Sequence, residues 1–349
     1  MNERHRIDLP RIVLVGRGVL ESLGEVFLEL GLRRPLIVTG RVTYNIAGAK
    51  AEEILTEVGL SPRVVFCEVA DLETVERVSD EAGSIEADAV VGVGGGRTID
   101  VAKLGAFNNQ ASFISVPTIA AHDGIASSLA SVKGFGRPYS MKANPPIAVL
   151  ADSGIISESP YRFTASGCGD VISKVVSVRD WKLAHVENGD YYGEYAGSLA
   201  LMGSRLIRRS SNLIKARTEE GIRTLLEALV SCGVSMSIAG SSRPCSGSEH
   251  LFSHTLDMLA PGTALHGEQC GVGTIMMAKL HGLDWEDIRE NLRLIGAPTT
   301  AEDLGVSEEV LVEALVKART IRPERYTILD KVVLTRESAG DLARFCGVL

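Results

Sequence analysis

Residues 89–96 read Ala-Val-Val-Gly-Val-Gly-Gly-Gly, an apolar run that ends in three consecutive glycines and opens into the helical spacing of residues 98–107. Glycine lets a backbone turn tightly and approach a ligand closely. The free amides and dipole of the succeeding helix favour a pyrophosphate. An ordinary strand–helix turn does not need three glycines in a row. The flanking pattern is consistent with this. Short apolar runs at 11–15, 35–39, 64–69, 89–93, 113–116 and 147–151 alternate with helical spacing at 19–30, 47–58, 72–84 and 98–107. Alternation of this kind predicts parallel strands joined by right-handed crossovers. Continuous apolar strands predict a sheet covered on both faces. Residues 130–142, with Gly134, Gly136, Pro138 and Tyr139, read as a hairpin or loop. A Ser/Gly/Pro-rich stretch at 152–160 marks a boundary. Beyond it the spacing is helical at 171–185, 194–213, 219–239, 248–259, 271–280, 285–295, 307–317 and 337–345. The expectation is an α/β N-terminal dinucleotide-binding domain over residues 1–152 and an all-α C-terminal domain over 153–349, with the N-terminal tail and 322–335 unassigned.

The charge balance narrows the partners. Thirty-six basic against 44 acidic residues give a net charge of −8 with no basic block, which disfavours nucleic acid. No uninterrupted apolar run reaches ~18 residues, so no membrane insertion is expected. Residues 1–6 are polar and no apolar signal core comes after them, so the expected location is cytoplasmic. Six cysteines without a C-x-x-C pair read as buried small hydrophobes.

The glycine turn departs from the usual dinucleotide fingerprint. Gly92-x-Gly94 is followed by Arg97 where a third glycine would fall, and the turn comes after the third strand–helix unit. No G-x-x-x-x-G-K-S/T loop is present, which weakens an ATPase or GTPase reading. Asp100, in the first helical turn, anchors either the loop or a polar edge of the cofactor. The strand at 35–39 ends Val38-Thr39-Gly40-Arg41, with no carboxylate at its tip to repel a 2′-phosphate. Arg41 either pairs with such a phosphate or is solvated, so NADP is permitted alongside NAD.

Metal-ligating residue types recur in three distant segments. They are Gly167-Cys168-Gly169-Asp170, Gly247-Ser248-Glu249-His250-Leu251-Phe252-Ser253-His254 and Leu265-His266-Gly267-Glu268-Gln269. Asp170, His250 and His266 offer one oxygen and two nitrogens and leave a fourth position open, as a catalytic zinc requires. His250 and His254 share a helix face, so one can bind metal while the other reaches substrate. Glu249 precedes His250 and no glutamate directly succeeds it, so the H-E-x-x-H protease motif is absent. No G-x-S-x-G elbow exists. Between the halves lies Ser115-Val116-Pro117-Thr118-Ile119-Ala120-Ala121-His122-Asp123-Gly124-Ile125-Ala126-Ser127. Thr118 and Ser127 suit nicotinamide or ribose contact. Asp123 accepts a substrate hydroxyl or caps a helix.

These motifs carry a resemblance. G-G-G-x-x-x-D-V-A-K at 94–103, S-V-P-T-x-x-x-H-D-G-x-A-S at 115–127, G-x-G-D at 167–170, S-R-P-x-S-G-S-E-H-x-F-S-H at 242–254 and H-G-E-Q at 266–269 together resemble the sn-glycerol-1-phosphate dehydrogenases. That family lies within the iron-containing alcohol dehydrogenase, glycerol dehydrogenase and dehydroquinate synthase-like fold group. The resemblance covers nearly the whole chain. It implies that Gly94, Gly95, Gly96, Arg97, Thr98, Ile99 and Asp100, with Thr118, Ile119, Ala120 and Ala121, hold NAD or NADP, and that Ser127 lies near the nicotinamide. It implies one zinc per subunit on Asp170, His250 and His266, although such N/O ligands also suit iron, nickel or manganese. Asp123, Asp170 and His254 would face the substrate. Ala121 stands where the family often has Ser, and Cys245 where it often has Ala. The implied reaction is NAD(P)H-linked reduction of dihydroxyacetone phosphate to sn-glycerol 1-phosphate, the backbone of archaeal-type ether phospholipids, by a homo-oligomer. In that scheme the metal polarises the ketone, the nicotinamide supplies hydride, and the proton passes through His254 or water.

Two other activities fit the same motifs: a glycerol or polyol dehydrogenase, and a dehydroquinate-synthase-like lyase with no net NAD turnover. For a substrate phosphate, the segment Ser242-Arg243-Pro244-Cys245-Ser246-Gly247-Ser248 supplies one Arg and several hydroxyls. Arg243 as a structural clamp, with Lys142 or Asn144 taking the phosphate, is the alternative.

Overall fold

A computed structural model describes residues 7–132 and 139–349. The 1–6 tail and the 133–138 turn of the expected hairpin lie outside the described residues. The chain divides into two compact units, Met1–Pro160 and Tyr161–Leu349.

The first unit contains strands β1 (Ile12–Gly16), β2 (Pro35–Thr39), β3 (Arg63–Phe66), β4 (Ala89–Gly94), β5 (Ser112–Pro117), β6 (Leu129–Val132), β7 (Tyr139–Lys142) and β8 (Ala148–Asp152). Its helices are α1 (Leu23–Leu30), α2 (Arg41–Thr43), α3 (Ala49–Glu57), α4 (Leu72–Ser84), α5 (Gly96–Asn108) and α6 (Ser153–Glu158). Six strands form one sheet in the order β1-β8-β5-β4-β2-β3, and every pairing in it is parallel. β6 and β7 are the antiparallel arms of the expected hairpin.

Alternation along the strands feeds both faces of the sheet. Leu36, Val38, Val90 and Phe113 pack with Val75, Val78, Ile99 and Leu104 from α4 and α5. Ile37, Val91, Val93 and Ile114 pack with Leu23, Phe27, Ile54 and Leu55 from α1 and α3 on the other. Continuous apolar strands are what such a doubly covered sheet demands. From β2 the chain proceeds outward to β3, and from β4 it proceeds the other way to β5. The carboxyl ends of β2 and β4 therefore flank a topological switch point, where open α/β sheets bind ligands.

Two local readings change. The helix expected from residue 47 starts at Arg41 and passes through a π-helical turn, Tyr44–Gly48, before α3. Residues 153–158, read as part of the domain boundary, form α6. The carboxylate of Asp152 caps it, accepting from Gly154 N at 2.9 Å and Ile155 N at 3.3 Å, and this cap outweighs the poor propensity of Ser and Gly.

The second unit is helical: α7 (Tyr161–Ile172), α8 (Lys174–Asn188), α9 (Glu194–Arg209), α10 (Ser211–Lys215), α11 (Glu219–Ala239), α12 (Ser248–Leu259), α13 (His266–Leu280), α14 (Trp285–Ile295), α15 (Ala301–Leu304), α16 (Glu308–Ile321), α17 (Ile328–Lys331) and α18 (Arg336–Phe345). The expected helix at 171–185 is two helices meeting at Ser173, and the Gly-Cys-Gly-Asp segment lies inside α7. The unassigned 322–335 stretch contains α17. Helix α11 reaches a mean hydropathy of 1.4 over an 18-residue window, enough by length and composition to cross a membrane, and 67% of that window is buried in this protein. All six cysteines are buried and free.

A close backbone approach joins α7 to α13. A Cβ added at Gly169 would stand 2.3 Å from the Gly267 carbonyl oxygen, and one at Gly267 would stand 1.9 Å from the Ser166 carbonyl oxygen. Gly203 in α9, by contrast, has only ordinary contacts from 3.5 Å outward. Gly267→Ala is expected to cost stability at the upper end of the ~1–3 kcal/mol typical of overpacked cores. Gly203→Ala is expected to be neutral or stabilising by up to about 1 kcal/mol, because alanine is the better helix former. Urea unfolding of the two variants measures the difference.

Candidate functional site

In the first unit each glycine of the 94–96 turn is required by a neighbour. A Cβ at Gly94 would meet the Thr98 side chain at 2.8 Å, one at Gly95 the Ile119 side chain at 2.8 Å, and one at Gly96 the His122 Nε2 at 2.0 Å. Helix α5 begins at Gly96, and its first intrahelical bond is Ile99 N to Gly95 O at 3.0 Å. The amides of Gly96, Arg97 and Thr98 thus form the unsatisfied N-terminal turn that suits a pyrophosphate. Thr118 donates its backbone N–H to Gly94 O at 3.0 Å, while its buried Oγ1 has no hydrogen-bond partner. A buried hydroxyl left unmatched beside open amides fits a ligand that supplies the missing acceptor. Ile119 roofs Gly95, and Ala120 and Ala121 are buried behind it.

Other expected cofactor residues serve the loop itself. Asp100 Oδ2 accepts from Ser131 N at 3.0 Å, and its Oδ1 lies 3.4 Å from Lys103 Nζ. Lys103 is fully buried, and its ammonium also donates to Gly124 O at 2.9 Å, Ser127 Oγ at 3.3 Å and Leu129 O at 2.6 Å. Burial pulls this lysine below its ordinary value, opposed by the Asp100 charge. Of the two roles open to Asp100, the structure displays the loop anchor, and the Ser127 hydroxyl lies in the same network. Ile99 points into the sheet core, so it reaches the turn only through its backbone. Lys103 and His122 were absent from the sequence-based set. The signals were the D-x-x-K spacing of 100–103 and the histidine directly before Asp123, which itself opens a short 3₁₀ turn.

At the tip of β2, Arg41 is exposed and does not stand alone. Glu68 Oε1, arriving after β3, accepts from Arg41 N at 3.0 Å and lies 3.9 Å from the guanidinium. The strand-end reading found no carboxylate here because Glu68 comes just after the neighbouring strand, not at the tip of β2. Arg97, also exposed, donates to Glu68 O at 3.3 Å.

In the second unit, Asp170 from α7, His250 from α12 and His266 from the start of α13 converge. Their ligand atoms and Cys270 Sγ all lie within 4.8 Å of one another. His250 Nε2 stands 3.6 Å from Asp170 Oδ1, and Cys270 Sγ 3.6 Å from His266 Nε2. Donors about 2.0–2.3 Å from a tetrahedral ion lie roughly 3.3–3.8 Å apart, so the spacing fits one cation. The tautomers fit too. Glu249 Oε1 accepts from Gly247 N at 2.9 Å and meets His250 Nδ1 at 2.7 Å, which places the ring proton on Nδ1 and leaves the Nε2 lone pair for a metal. Ser253 donates to Gln269 Oε1 at 2.7 Å and so accepts from His266 Nδ1 at 3.2 Å, with the same result. Burial pushes the Cys270 thiol well up, so it stays protonated until a cation arrives. The sequence reading had placed this fourth donor among inert core cysteines.

Surrounding charges hold the group together. Lys174, fully buried, reaches Asp170 Oδ1 at 2.6 Å and Cys245 O at 3.2 Å. Asp180, also buried, accepts from Ser248 N at 2.6 Å, Ile328 N at 2.7 Å and His281 Nε2 at 2.8 Å. Burial, with the Asp180 charge second, raises the Glu249 carboxyl to about 8. His254 stacks on His266 with ring centroids 6.0 Å apart. Burial, followed by His266, Arg322 and Arg325, lowers it to about 3, so it is neutral. Arg243 donates to Asp190 Oδ2 at 2.6 Å and Tyr326 O at 2.9 Å, the clamp alternative. Lys142 and Asn144 are exposed residues of the first unit.

Two outcomes are expected from this arrangement. Asp170→Ala is expected to lose metal and also to destabilise the metal-free chain by about 3–5 kcal/mol, since Lys174 is left buried without its partner. His266→Ala loses metal without that second cost. Metal content by mass spectrometry and denaturant unfolding separate the two. Glu249→Gln is expected to weaken metal affinity about 10–100-fold, the usual effect of disturbing a ligand's outer hydrogen bond, as read by chelator competition.

Comparison with known proteins agrees with this construction. Residues 14–160 match the iron-containing alcohol dehydrogenase family. A solved structure of a probable glycerol dehydrogenase from Sinorhizobium meliloti superposes with a TM-score of 0.80 at 23% identity, over 99% of this chain and 100% of that one. Glycerol dehydrogenase from Schizosaccharomyces pombe gives 0.82 at 19% identity, over 99% and 91%. At such identities the likeness establishes the fold. Sequence relatives go further. The glycerol-1-phosphate dehydrogenase (NAD(P)+) of Methanosarcina barkeri is 51% identical over 100% of this chain and 98% of its own. That of Pyrococcus horikoshii is 48% identical over 99% and 100%. With about half its residues shared along the full length of these enzymes, the chain belongs to the glycerol-1-phosphate dehydrogenase family.

Proposed function

We propose that this chain is an NAD(P)H-linked, metal-dependent oxidoreductase that reduces dihydroxyacetone phosphate to sn-glycerol 1-phosphate. The observation that carries the reading is the 51% full-length identity to the Methanosarcina barkeri enzyme. The first unit is the cofactor-binding domain in this reading, and the second is the metal- and substrate-binding domain. Their product would feed synthesis of archaeal-type ether phospholipids in the cytoplasm. Assembly as a homo-oligomer is part of the proposal. It is supported by Tyr195, Met202 and Leu206, exposed at 72%, 46% and 38% along one face of α9.

When bound, the nicotinamide supplies the hydride and a divalent cation, taken as zinc, supplies Lewis-acid polarisation of the ketone oxygen. The chain's own residues do the rest. The Gly96–Thr98 amides and the Thr118 hydroxyl would bind the cofactor, and the Asp100–Lys103 pair fixes the loop that carries Thr118 to Ser127. Asp170, His250 and His266 would hold the cation, with Glu249 and Ser253 setting the histidine tautomers. His254 is neutral and carries one ring N–H and one lone pair, so it can pass a proton to the product oxygen and recover it from water. Asp123 would orient a substrate hydroxyl.

The relatives' names favour this reaction over a polyol dehydrogenase or a lyase. NADPH absorbance, followed with dihydroxyacetone phosphate, should fall steadily and stop on adding chelator. A lyase would show no net cofactor consumption, and a polyol dehydrogenase would prefer unphosphorylated dihydroxyacetone. Both NADH and NADPH are expected to serve. Arg41→Ala should raise the KM for NADPH more than for NADH. Glu68→Gln should lower it, because a carboxylate beside the Arg41 guanidinium competes with the 2′-phosphate for the same cation. Equal changes for both cofactors would show that Arg41 and Glu68 form only a surface pair.

A further inference from the structure

We infer that His122 binds the cofactor's pyrophosphate, donating from its ring Nε2 at the mouth of the glycine turn. The inference rests on the proposed function and adds a side-chain donor to the Gly96–Thr98 amides and the Thr118 hydroxyl.

His122 follows β5 and directly precedes the 3₁₀ turn Asp123–Ile125, in the same unit as the glycine turn. Two glycines keep its ring clear. A Cβ at Gly96 would stand 2.0 Å from the ring Nε2, and one at Gly124 would stand 2.4 Å from Cε1 and 2.6 Å from Nδ1. An imidazole held between two bare backbones has a fixed place. Its orientation is fixed as well. Gly124 N donates to Nδ1 at 3.0 Å, so the ring caps the 3₁₀ turn through that nitrogen. A neutral imidazole that accepts at Nδ1 carries its proton on Nε2. The donor edge of the ring therefore lies against Gly96, the first residue of α5.

That place is the positive end of a 13-residue helix, where an anion is favoured. The buried Thr118 Oγ1 beside the same turn lacks a hydrogen-bond partner, so the cradle is short of an acceptor. A pyrophosphate supplies several, and hydrogen bonds to an ionised acceptor are roughly twice as strong as neutral ones. His122 is half-buried, neither sealed in the core nor loose in water. Capping the 3₁₀ turn uses Nδ1 alone, and an asparagine would serve for that. What an asparagine lacks is the second nitrogen, the one that Gly96 makes room for. The third glycine of the turn thus has a purpose beyond the turn itself: any side chain there would displace the ring from the helix end.

The test measures binding to the full-length, metal-loaded protein, without turnover. Wild type, His122→Asn and His122→Gln are titrated with NADH, read by its fluorescence, and with ADP-ribose, read by calorimetry. Asparagine keeps an acceptor for Gly124 N but has no donor at the Nε2 position. Its Kd for NADH is expected to rise by about 10–100-fold, the scale of a lost hydrogen bond to a charged group. The rise should be equal for ADP-ribose, which keeps the pyrophosphate and lacks the nicotinamide. Glutamine returns an N–H donor to the Nε2 position and should bind both ligands within about fivefold of wild type. Wild-type affinity in His122→Asn shows a cap alone and overturns the assignment, as does a loss confined to NADH. If His122→Asn does not fold, His122→Gln decides, and a loss of about 10-fold or more in that variant overturns the assignment. A wild type that binds neither NADH nor NADPH defeats the functional reading instead, and the ADP-ribose titrations then decide the role of His122 by themselves.

Discussion

The candidate metal site depends on two helices touching through bare backbone. Gly169 and Gly267 face each other so closely that neither tolerates a methyl group. Asp170 directly succeeds one and His266 directly precedes the other. The spacing between the candidate oxygen ligand on α7 and the candidate nitrogen ligand on α13 is therefore set by main-chain contact, which is far stiffer than side-chain packing. Helix α12 contributes His250 onto this frame. Its start is tied by Asp180, and its ligand ring is tied by Glu249.

Around that frame the buried charges are matched in advance. Lys174 faces Asp170, and Lys103 faces Asp100. Each lysine also donates to backbone oxygens. A buried charge is tolerated only when both its opposite and its remaining hydrogen bonds are supplied. The two pairs serve different ends. One holds a ligand carboxylate, and the other closes a loop against the helix that begins at the glycine turn. His250 and His254 are handled the opposite way, kept neutral by burial so that their lone pairs stay available.

Much of this was legible in the sequence. Apolar runs marked the six parallel strands, because a doubly covered sheet requires them. The three glycines marked the turn, and Asp170, His250 and His266 were readable as a donor set by residue type. Two of the features that escaped depend on long-range contact, and two on local side-chain geometry that residue type does not reveal. Glu68 reaches Arg41 only because β3 lies beside β2. Cys270 becomes a donor only because α13 starts at His266, four residues earlier and one turn away. Residues 153–158 looked like linker, since a cap such as Asp152 acts through its own side chain and leaves the helix propensity of the capped residues unchanged. Residues 322–335 lack apolar periodicity, and nothing local shows that Ile328 is fastened to a carboxylate 148 positions away.

That fastening bears on how such a chain can diversify. Connections between helices usually drift freely, gaining and losing residues without penalty to the core. The 322–327 connection has no such freedom. Its far end and the first turn of α12 share the single side chain of Asp180. An insertion there would pull on the carboxylate that fixes the ligand helix, and the disturbance would be felt at His250. Lineages exploring new substrates through this segment are thus confined to exchanging side chains at constant length. Loop grafting from a distant homologue should fail here while single-residue recombination succeeds.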